Sequence, residues 1–333
     1  MSNGLVTIFG GSGFLGRYAA RQLVKAGWRV RIAVRRPNLA GDARLAGAPG
    51  WVDIVQANVR HKTSVASAIE GADAVVNLVG ILTEKGRQTF EGAQREGAIN
   101  VAEACKAAGI KRLVQISAIG ANPDAKANYA STKGEAELAV REIMPDAVIL
   151  RPSVVFGPED GFLNRFAAMA SHPISSFLPF LPAIGGGKTR FQPVYAGDVA
   201  EAIRAAVIRD DVAGKTFELG GPKAYTMKEL YRFITDTIDR ERFTLSVPFL
   251  IAKPLGLACG VLWRAPFLPM WRLGGPPLTG NQVELLKSDS TVAEDALTLK
   301  DLGIDELESI EAIVPTYLWR FRPYGQYYQQ PEA

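Results

Sequence analysis

Short apolar runs alternate with stretches of helical spacing through the first half of the chain. Leu5–Phe9 is apolar at four of its five positions, as a strand covered on both faces requires. A helical pattern over 16–26 follows, then strand-like runs at Arg29–Val34, 51–55, 74–79, 111–116 and 147–150. Between them, Val65, Ala68 and Ile69 recur at helical spacing, as do Ala98, Val101, Ala102, Cys105 and Ala108, with Gly109 as a stop. This rhythm predicts an α/β fold, a Rossmann-type doubly wound parallel sheet with right-handed crossovers and helices on both faces.

After Leu150 the pattern changes. Pro152, Pro158, Pro173, Pro179, Pro182 and the Gly185-Gly186-Gly187 run interrupt regular alternation. Helices over Ala196–Ile208 and 227–238 and a short strand at 217–219 are expected within it. The chain is therefore expected to divide into an α/β domain over 1–150 and a C-terminal cap region over 151–333, packed on the first.

Composition narrows the class. The chain has 333 residues, 47% of them hydrophobic, enough to bury a sizeable core. A net charge of +4 without a long basic run gives no nucleic-acid footprint. Cys105 and Cys259 lie far apart without metal-ligand spacing, which fits a reducing compartment and no metal site. The first apolar run begins at Leu5, so no signal peptide is expected ahead of it. Residues 247–271 are apolar but carry Lys253, Arg264 and four prolines, so they read as a surface segment too irregular for a spanning helix.

Gly10-Gly11-Ser12-Gly13-Phe14-Leu15-Gly16 follows a strand and opens a helix, where backbone N–H groups meet a pyrophosphate. At the end of the second strand, where a carboxylate would bond the free ribose of NAD, stand Arg35 and Arg36. Two guanidinium groups there favour the 2′-phosphate of NADP(H). By analogy with the fold, Asn58 and Val59 after the third strand, and Asn77, Leu78, Val79 and Gly80 after the fourth, line the adenosine. Tyr129 and Lys133 stand four apart on one helix face, where an ammonium beside a phenol would lower its pKa for proton transfer.

These strings, with Arg151-Pro152-Ser153-Val154-Val155-Phe156-Gly157-Pro158, resemble the extended and atypical short-chain dehydrogenases/reductases over about two-thirds of the chain. The resemblance adds Ser117, Arg151 and Pro152 to the cofactor-contacting set. Active members end the fifth strand with two hydroxyl residues; here Ser117 takes the first position and Ala118 the catalytic one. No catalytic residue is therefore expected, and Tyr129, Lys133 and Ser117 are vestigial candidates. Asn58 also departs from the aspartate that many relatives carry near the adenine.

Glu159-Asp160-Gly161-Phe162-Leu163-Asn164-Arg165-Phe166, Gln192-Pro193-Val194-Tyr195 with Asp198-Val199, and the tail Pro315-Thr316-Tyr317-Leu318-Trp319-Arg320-Phe321-Arg322-Pro323 resemble a narrower branch. This is the nucleotide-binding accessory subunit of respiratory complex I, NADH:ubiquinone oxidoreductase. The resemblance implies a non-catalytic NADPH-holding subunit on the hydrophilic arm, near the membrane and quinone site. Its partners would be other complex I subunits, with peripheral membrane contact at the cytoplasmic side of a bacterial inner membrane and no homo-oligomer. The aromatic and basic tail over 315–328, the apolar stretch over 177–184, and Trp263, Arg264, Trp271 and Arg272 are expected to carry the docking, the alternative being that the tail folds back on its own core and the apolar stretches are buried in the cap. Two other readings stay open: a free-standing NADP-dependent reductase or epimerase, using Ser117 or Thr83 as its hydroxyl, and a redox-sensing NADP(H)-binding regulator.

Overall fold

A computed structural model describes residues 2–171, 180–264, 278–325 and 327, with side chains from 260 to 264 excluded. The chain forms two compact units, each assembled from three segments.

The first unit comprises residues 1–152, 196–219 and 292–306. Its parallel strands β1 (Leu5–Phe9), β2 (Arg29–Val34), β3 (Val52–Gln56), β4 (Ala74–Asn77), β5 (Arg112–Ile116) and β6 (Val148–Pro152) join a seventh strand, Thr216–Leu219. Across the sheet the order is β3, β2, β1, β4, β5, β6 and Thr216–Leu219. This is the doubly wound arrangement read from the apolar runs. The order reverses direction between β1 and β4, which opens a crevice at the carboxyl ends of those strands. Central strands are legible as apolar runs because helices cover both faces: Val6, Ile8, Ala74, Val75, Val76, Leu113, Val114 and Val148 are all fully buried.

On one face α1 (Phe14–Lys25) packs along the Ala196–Ile208 helix, where Ala196, Ala200, Ala202 and Ala206 permit close approach. On the other face lie α2 (Lys62–Ile69), α3 (Glu96–Ala107) and α4 (Asn128–Ile143), over a core of Phe9, Val65, Ile69, Val101, Cys105, Leu113 and Val140. Residues 196–219 and 292–306 join this unit, beyond the expected boundary at 150, because each completes it. The helix covers the sheet, and the later segment lies against Thr216–Leu219, where the Glu218 N–H donates to the Leu297 carbonyl at 2.8 Å. That contact shields an edge that would otherwise offer unpaired backbone groups.

The second unit comprises residues 153–195, 220–291 and 307–333. Helices Leu163–Ser171 and Met227–Thr237 pack together, and a capping box of Thr226 and Glu229 starts the second of them. Their core contains Phe156, Leu163, Leu181, Phe191, Leu230, Tyr231, Ile234, Ile310, Val314, Tyr317 and Leu318.

The tail from Pro315 to Phe321 is thus part of this core, as in the fold-back alternative, rather than a free docking arm. The Tyr317 hydroxyl donates to Asp160 Oδ2 at 2.9 Å, and Arg320 Nη2 donates to Asn164 Oδ1 and the Pro158 carbonyl. Arg322 Nε reaches the Thr237 carbonyl at 2.9 Å, and Arg240 Nε the Phe321 carbonyl at 3.1 Å. The two resembling strings, 159–166 and 315–323, are therefore halves of one tie. Of the tail aromatics, Tyr324 and Tyr327 are the exposed ones among the described residues.

The segment expected as a non-spanning surface or cap element, 247–271, begins in a helix, Phe249–Arg264, of 16 residues. Pro254 costs it a hydrogen bond to the carbonyl of residue 250, yet Leu250 is 86% exposed, so water can satisfy the freed group. Within 177–184, Phe180–Ile184 is a strand paired in parallel with Phe243–Val247. Residues 177–179, Trp271, Arg272 and the side chains of Trp263 and Arg264 lie outside the described residues.

Candidate functional site

The glycine loop joins β1 to α1. Gly10 has φ +79°, and a Cβ there would lie 3.4 Å from the Leu78 carbonyl oxygen and 3.5 Å from Val79 N. The loop backbone therefore lies directly against the end of β4. A Cβ on Gly16 would stand 2.5 Å from the Gly10 oxygen, so only hydrogen lets α1 begin this close to its own turn. The helix starts after Gly13 with no side-chain cap, which leaves its first N–H groups to an outside acceptor, with the positive end of the helix dipole behind them. Ser12 turns its carbonyl to Arg17 Nη1 at 2.8 Å. Phe14 and Leu15 are half-buried, and Phe14 meets Tyr18 edge-on.

Beyond β2 and β3 a cleft of about 510 Å³ is lined by Arg35, Arg36, Asn58, Arg60, His61 and Arg87, among others, with no carboxylate among its lining residues. Burial, then the neighbouring charges of Arg60 and Arg36, hold the Arg35 guanidinium below its ordinary pKa. Like charges gathered without counterions make a site for an anion. Asn58 Oδ1 accepts from Arg60 Nε at 3.3 Å, and the Val59 carbonyl accepts from Asn100 Nδ2 at 2.8 Å, fixing the strand end. Arg35, Arg36 and Asn58 come together as expected from their strand ends. Arg60, His61 and Arg87 were not anticipated. Arg60 follows Asn58 by two residues, so a search for cations past every strand end would have found it, whereas Arg87 carries no such signal.

At the ends of β4 and β5 a buried relay fixes the backbone: Asn77 Nδ2 donates to Gln115 Oε1 at 2.8 Å, and Gln115 Nε2 to the Ile116 carbonyl at 2.9 Å. Val79 N donates to Asn77 Oδ1, which shapes the turn through Leu78, Val79 and Gly80. Lys133, on α4, sends Nζ to the Ile116 carbonyl at 3.0 Å, and a Cβ on Gly80 would sit 3.6 Å from that nitrogen. Ser117 follows, and its buried hydroxyl has no partner among the described residues.

Burial pushes the Tyr129 phenol up to about 12, and lowers Lys133 to about 8 against the pull of Glu137. The expected depression of the phenol by its lysine is therefore not found. Removing water from the phenolate costs more than a desolvated ammonium, itself turned to a carbonyl, gives back. Tyr129 packs edge-on against Phe90 at 6.0 Å.

Arg151 is committed elsewhere. Its Nε and Nη2 grip the buried Glu137 carboxylate at 3.0 and 2.6 Å, with Glu218 at 3.5 Å. Pro152 offers its carbonyl to Ile119 N. Ala118 and Thr83 are half-buried, Thr83 within the segment that links β4 to α3.

The family model described as NAD dependent epimerase/dehydratase matches residues 6–220. A mitochondrial NADH dehydrogenase [ubiquinone] 1 alpha subcomplex subunit 9 from Arabidopsis thaliana is 35% identical over 90% of this chain and 74% of its own. The mitochondrial NADH-ubiquinone oxidoreductase 40 kDa subunit of Neurospora crassa is 30% identical over 98% and 82%. Among solved structures, an NADPH-dependent quinone oxidoreductase from Escherichia coli superposes with a TM-score of 0.68 at 20% identity, covering 94% of this chain and 99% of that one.

Proposed function

The chain belongs to the NAD dependent epimerase/dehydratase family, and within it to the group of the complex I 40 kDa and alpha subcomplex subunit 9 proteins; from that premise we propose that it is an accessory subunit of respiratory complex I that holds NADP(H) without independent turnover. The observation that carries the reading is the span of the likeness, which covers 98% of this chain and so runs through both units.

The residues present fit a dinucleotide. The uncapped helix start after Gly13 suits the pyrophosphate, the carboxylate-free arginine cleft suits a 2′-phosphate, and Tyr129 and Lys133 suit the nicotinamide ribose. Bound nucleotide would supply hydride chemistry; the chain's own residues bind and orient it. Ala118 places a methyl where a hydroxyl would stabilise developing negative charge.

Attachment to the other subunits, peripheral to the cytoplasmic side of a bacterial inner membrane, falls to the Phe249–Arg264 helix in this reading. Leu250, Ile251, Leu255 and Leu257 are exposed on it, beside Phe243 and Leu245 of the preceding strand. Apolar exposure of this extent suits an interface. Among the described residues no helix is long and apolar enough to cross a membrane.

One observation favours a second reading, a free-standing NADP-dependent reductase: the Ser117 hydroxyl is buried without a partner beside the residue that receives Lys133.

Two measurements test the proposal. Complex I isolated from native membranes through another subunit should contain this chain, and its absence would overturn the assignment. NADPH at one hundred times its dissociation constant should stabilise the fold by roughly 2.7 kcal/mol. NADH at equal concentration should do less, and Arg35→Asp should erase the difference; stronger stabilisation of wild type by NADH would overturn the cofactor choice.

A further inference from the structure

Resting on the NADP(H) reading above, we propose that Arg60 sets the preference for a 2′-phosphorylated nucleotide and ties residues 81–90 to that phosphate as a strap. Arg60 is half-buried behind β3 and lines the cationic cleft with Arg35 and Arg36. Its Nε donates to Asn58 Oδ1 at 3.3 Å and its Nη1 to the Arg87 carbonyl at 2.6 Å. A guanidinium carries five N–H groups, so about three remain for an anion. A carboxylate at position 58 would pair with Arg60 and neutralise it. The amide of Asn58 orients the guanidinium without neutralising it.

Arg87 lies in the segment between β4 and α3. A hairpin closes this segment, with Lys85 N to Gln88 O at 3.0 Å and Gln88 N to Lys85 O at 3.1 Å. At its start the Ile81 carbonyl accepts from Gln94 Nε2 at 2.9 Å, and at its end Phe90 packs on Tyr129. It then runs into Glu91–Arg95, a π-helical turn of the kind that marks functional sites. The segment thus reaches from the cationic cleft at Arg87 to the Tyr129 ring. A phosphate that fixes the Arg60 guanidinium fixes the Arg87 carbonyl with it, and so holds the strap. A nucleotide with a free 2′-hydroxyl leaves the Arg60 guanidinium anchored by Asn58 and the Arg87 carbonyl alone, beside the like charges of Arg35 and Arg36, so the strap is held less firmly.

The test measures NADPH and NADH affinity by calorimetry, and hydrogen exchange over residues 81–90, in the full chain and in Arg60→Gln and Arg60→Lys. Wild type should bind NADPH more tightly, with slower exchange over 81–90 under NADPH than under NADH. Arg60→Gln should weaken NADPH by about ten-fold or more, as loss of a charge-assisted hydrogen bond does. NADH affinity should fall by less, so that the NADPH-to-NADH ratio drops, and the exchange difference should disappear. Arg60→Lys keeps the charge but is a point donor that cannot span phosphate and carbonyl. It should retain part of the affinity and lose the exchange difference, and it decides the matter if Arg60→Gln does not fold. A wild-type NADPH-to-NADH ratio in Arg60→Gln, or equal exchange over 81–90 with both nucleotides, would overturn the proposal. Wild type without any preference for NADPH would instead overturn the NADP(H) reading, and with it any preference for Arg60 to set.

Discussion

Removing the tail from Pro315 onward should unfold the second unit. Tyr317 is 6% exposed and Leu318 fully buried, and Phe321 packs against the same core. Burying a side chain of this kind contributes about 1.5–3 kcal/mol, so three together contribute roughly 4–9 kcal/mol. That rivals the total stability of a typical domain, about 5–15 kcal/mol. The finer perturbation is Tyr317→Phe, which removes a single hydroxyl. Asp160 Oδ1 keeps its bonds from Phe162 N at 2.8 Å and Asn164 N at 3.1 Å, while Oδ2 keeps only Gly157 N at 3.3 Å. Burial already raises the pKa of this carboxyl, against the pull of its donors. Loss of one hydrogen bond to a charged group should therefore cost about 1.5–3 kcal/mol. Urea unfolding followed by near-ultraviolet circular dichroism reads both changes, with Tyr324→Ser as a surface control expected within about 0.5 kcal/mol of wild type. A truncated chain with the wild-type urea midpoint and tertiary signal would refute a structural tail and return it to the role of docking arm.

Three further outcomes are expected. Burial lowers Lys133 from 10.5 to about 8, so between those pH values the unfolded chain binds more protons and stability rises with pH. Below about 8 the penalty is fully present, and Lys133→Met should be more stable than wild type at pH 7 by on the order of 1–3 kcal/mol, a gap that narrows toward pH 10.5; thermal melts across pH showing no gap, or a widening one, would contradict a dry ammonium. Gly16→Ala puts a methyl 2.5 Å from the Gly10 oxygen, and should cost about 1–3 kcal/mol of stability and weaken NADPH binding in a titration; unchanged affinity would mean the loop is not the pyrophosphate site. Carbonyl reduction with NADPH should stay near background, because loss of one oxyanion donor costs about 100- to 1,000-fold in rate, and efficient turnover abolished by Tyr129→Phe would support the reductase reading instead.

The sheet was legible because buried parallel strands must be apolar at nearly every position, and Leu5–Phe9 and Arg29–Val34 fall where that pattern places them. The glycine loop was legible for a related reason: the approach of α1 to its own turn admits no Cβ at Gly16. Arg60 stands just past a strand end and was within reach of the sequence, whereas Arg87 was missed because only folding brings its segment beyond β4 to the Arg60 guanidinium. The tail was misread because aromatic and arginine residues at alternate positions serve a core and an interface equally well. Only the buried Asp160, 157 positions earlier, distinguishes the two, and local composition carries no trace of that partner. The ion pairs of Arg151 were hidden in the same way, since its partners Glu137 and Glu218 come from α4 and a strand far along the chain.

The order in which the chain leaves the ribosome matters for this arrangement. Strands β1 to β6 are complete at residue 152, but the helix that lies beside α1 begins at residue 196, so 43 residues intervene (196 − 152 − 1 = 43). At roughly 5–20 residues per second, part of the sheet's apolar face stays uncovered for about 2–9 s of synthesis. The segment over 292–306 that shields the Thr216–Leu219 edge arrives later still. Nascent chains should accordingly recruit a holding chaperone until residue 208 has emerged, and stop codons placed between 152 and 196 should yield aggregates rather than a free nucleotide-binding module.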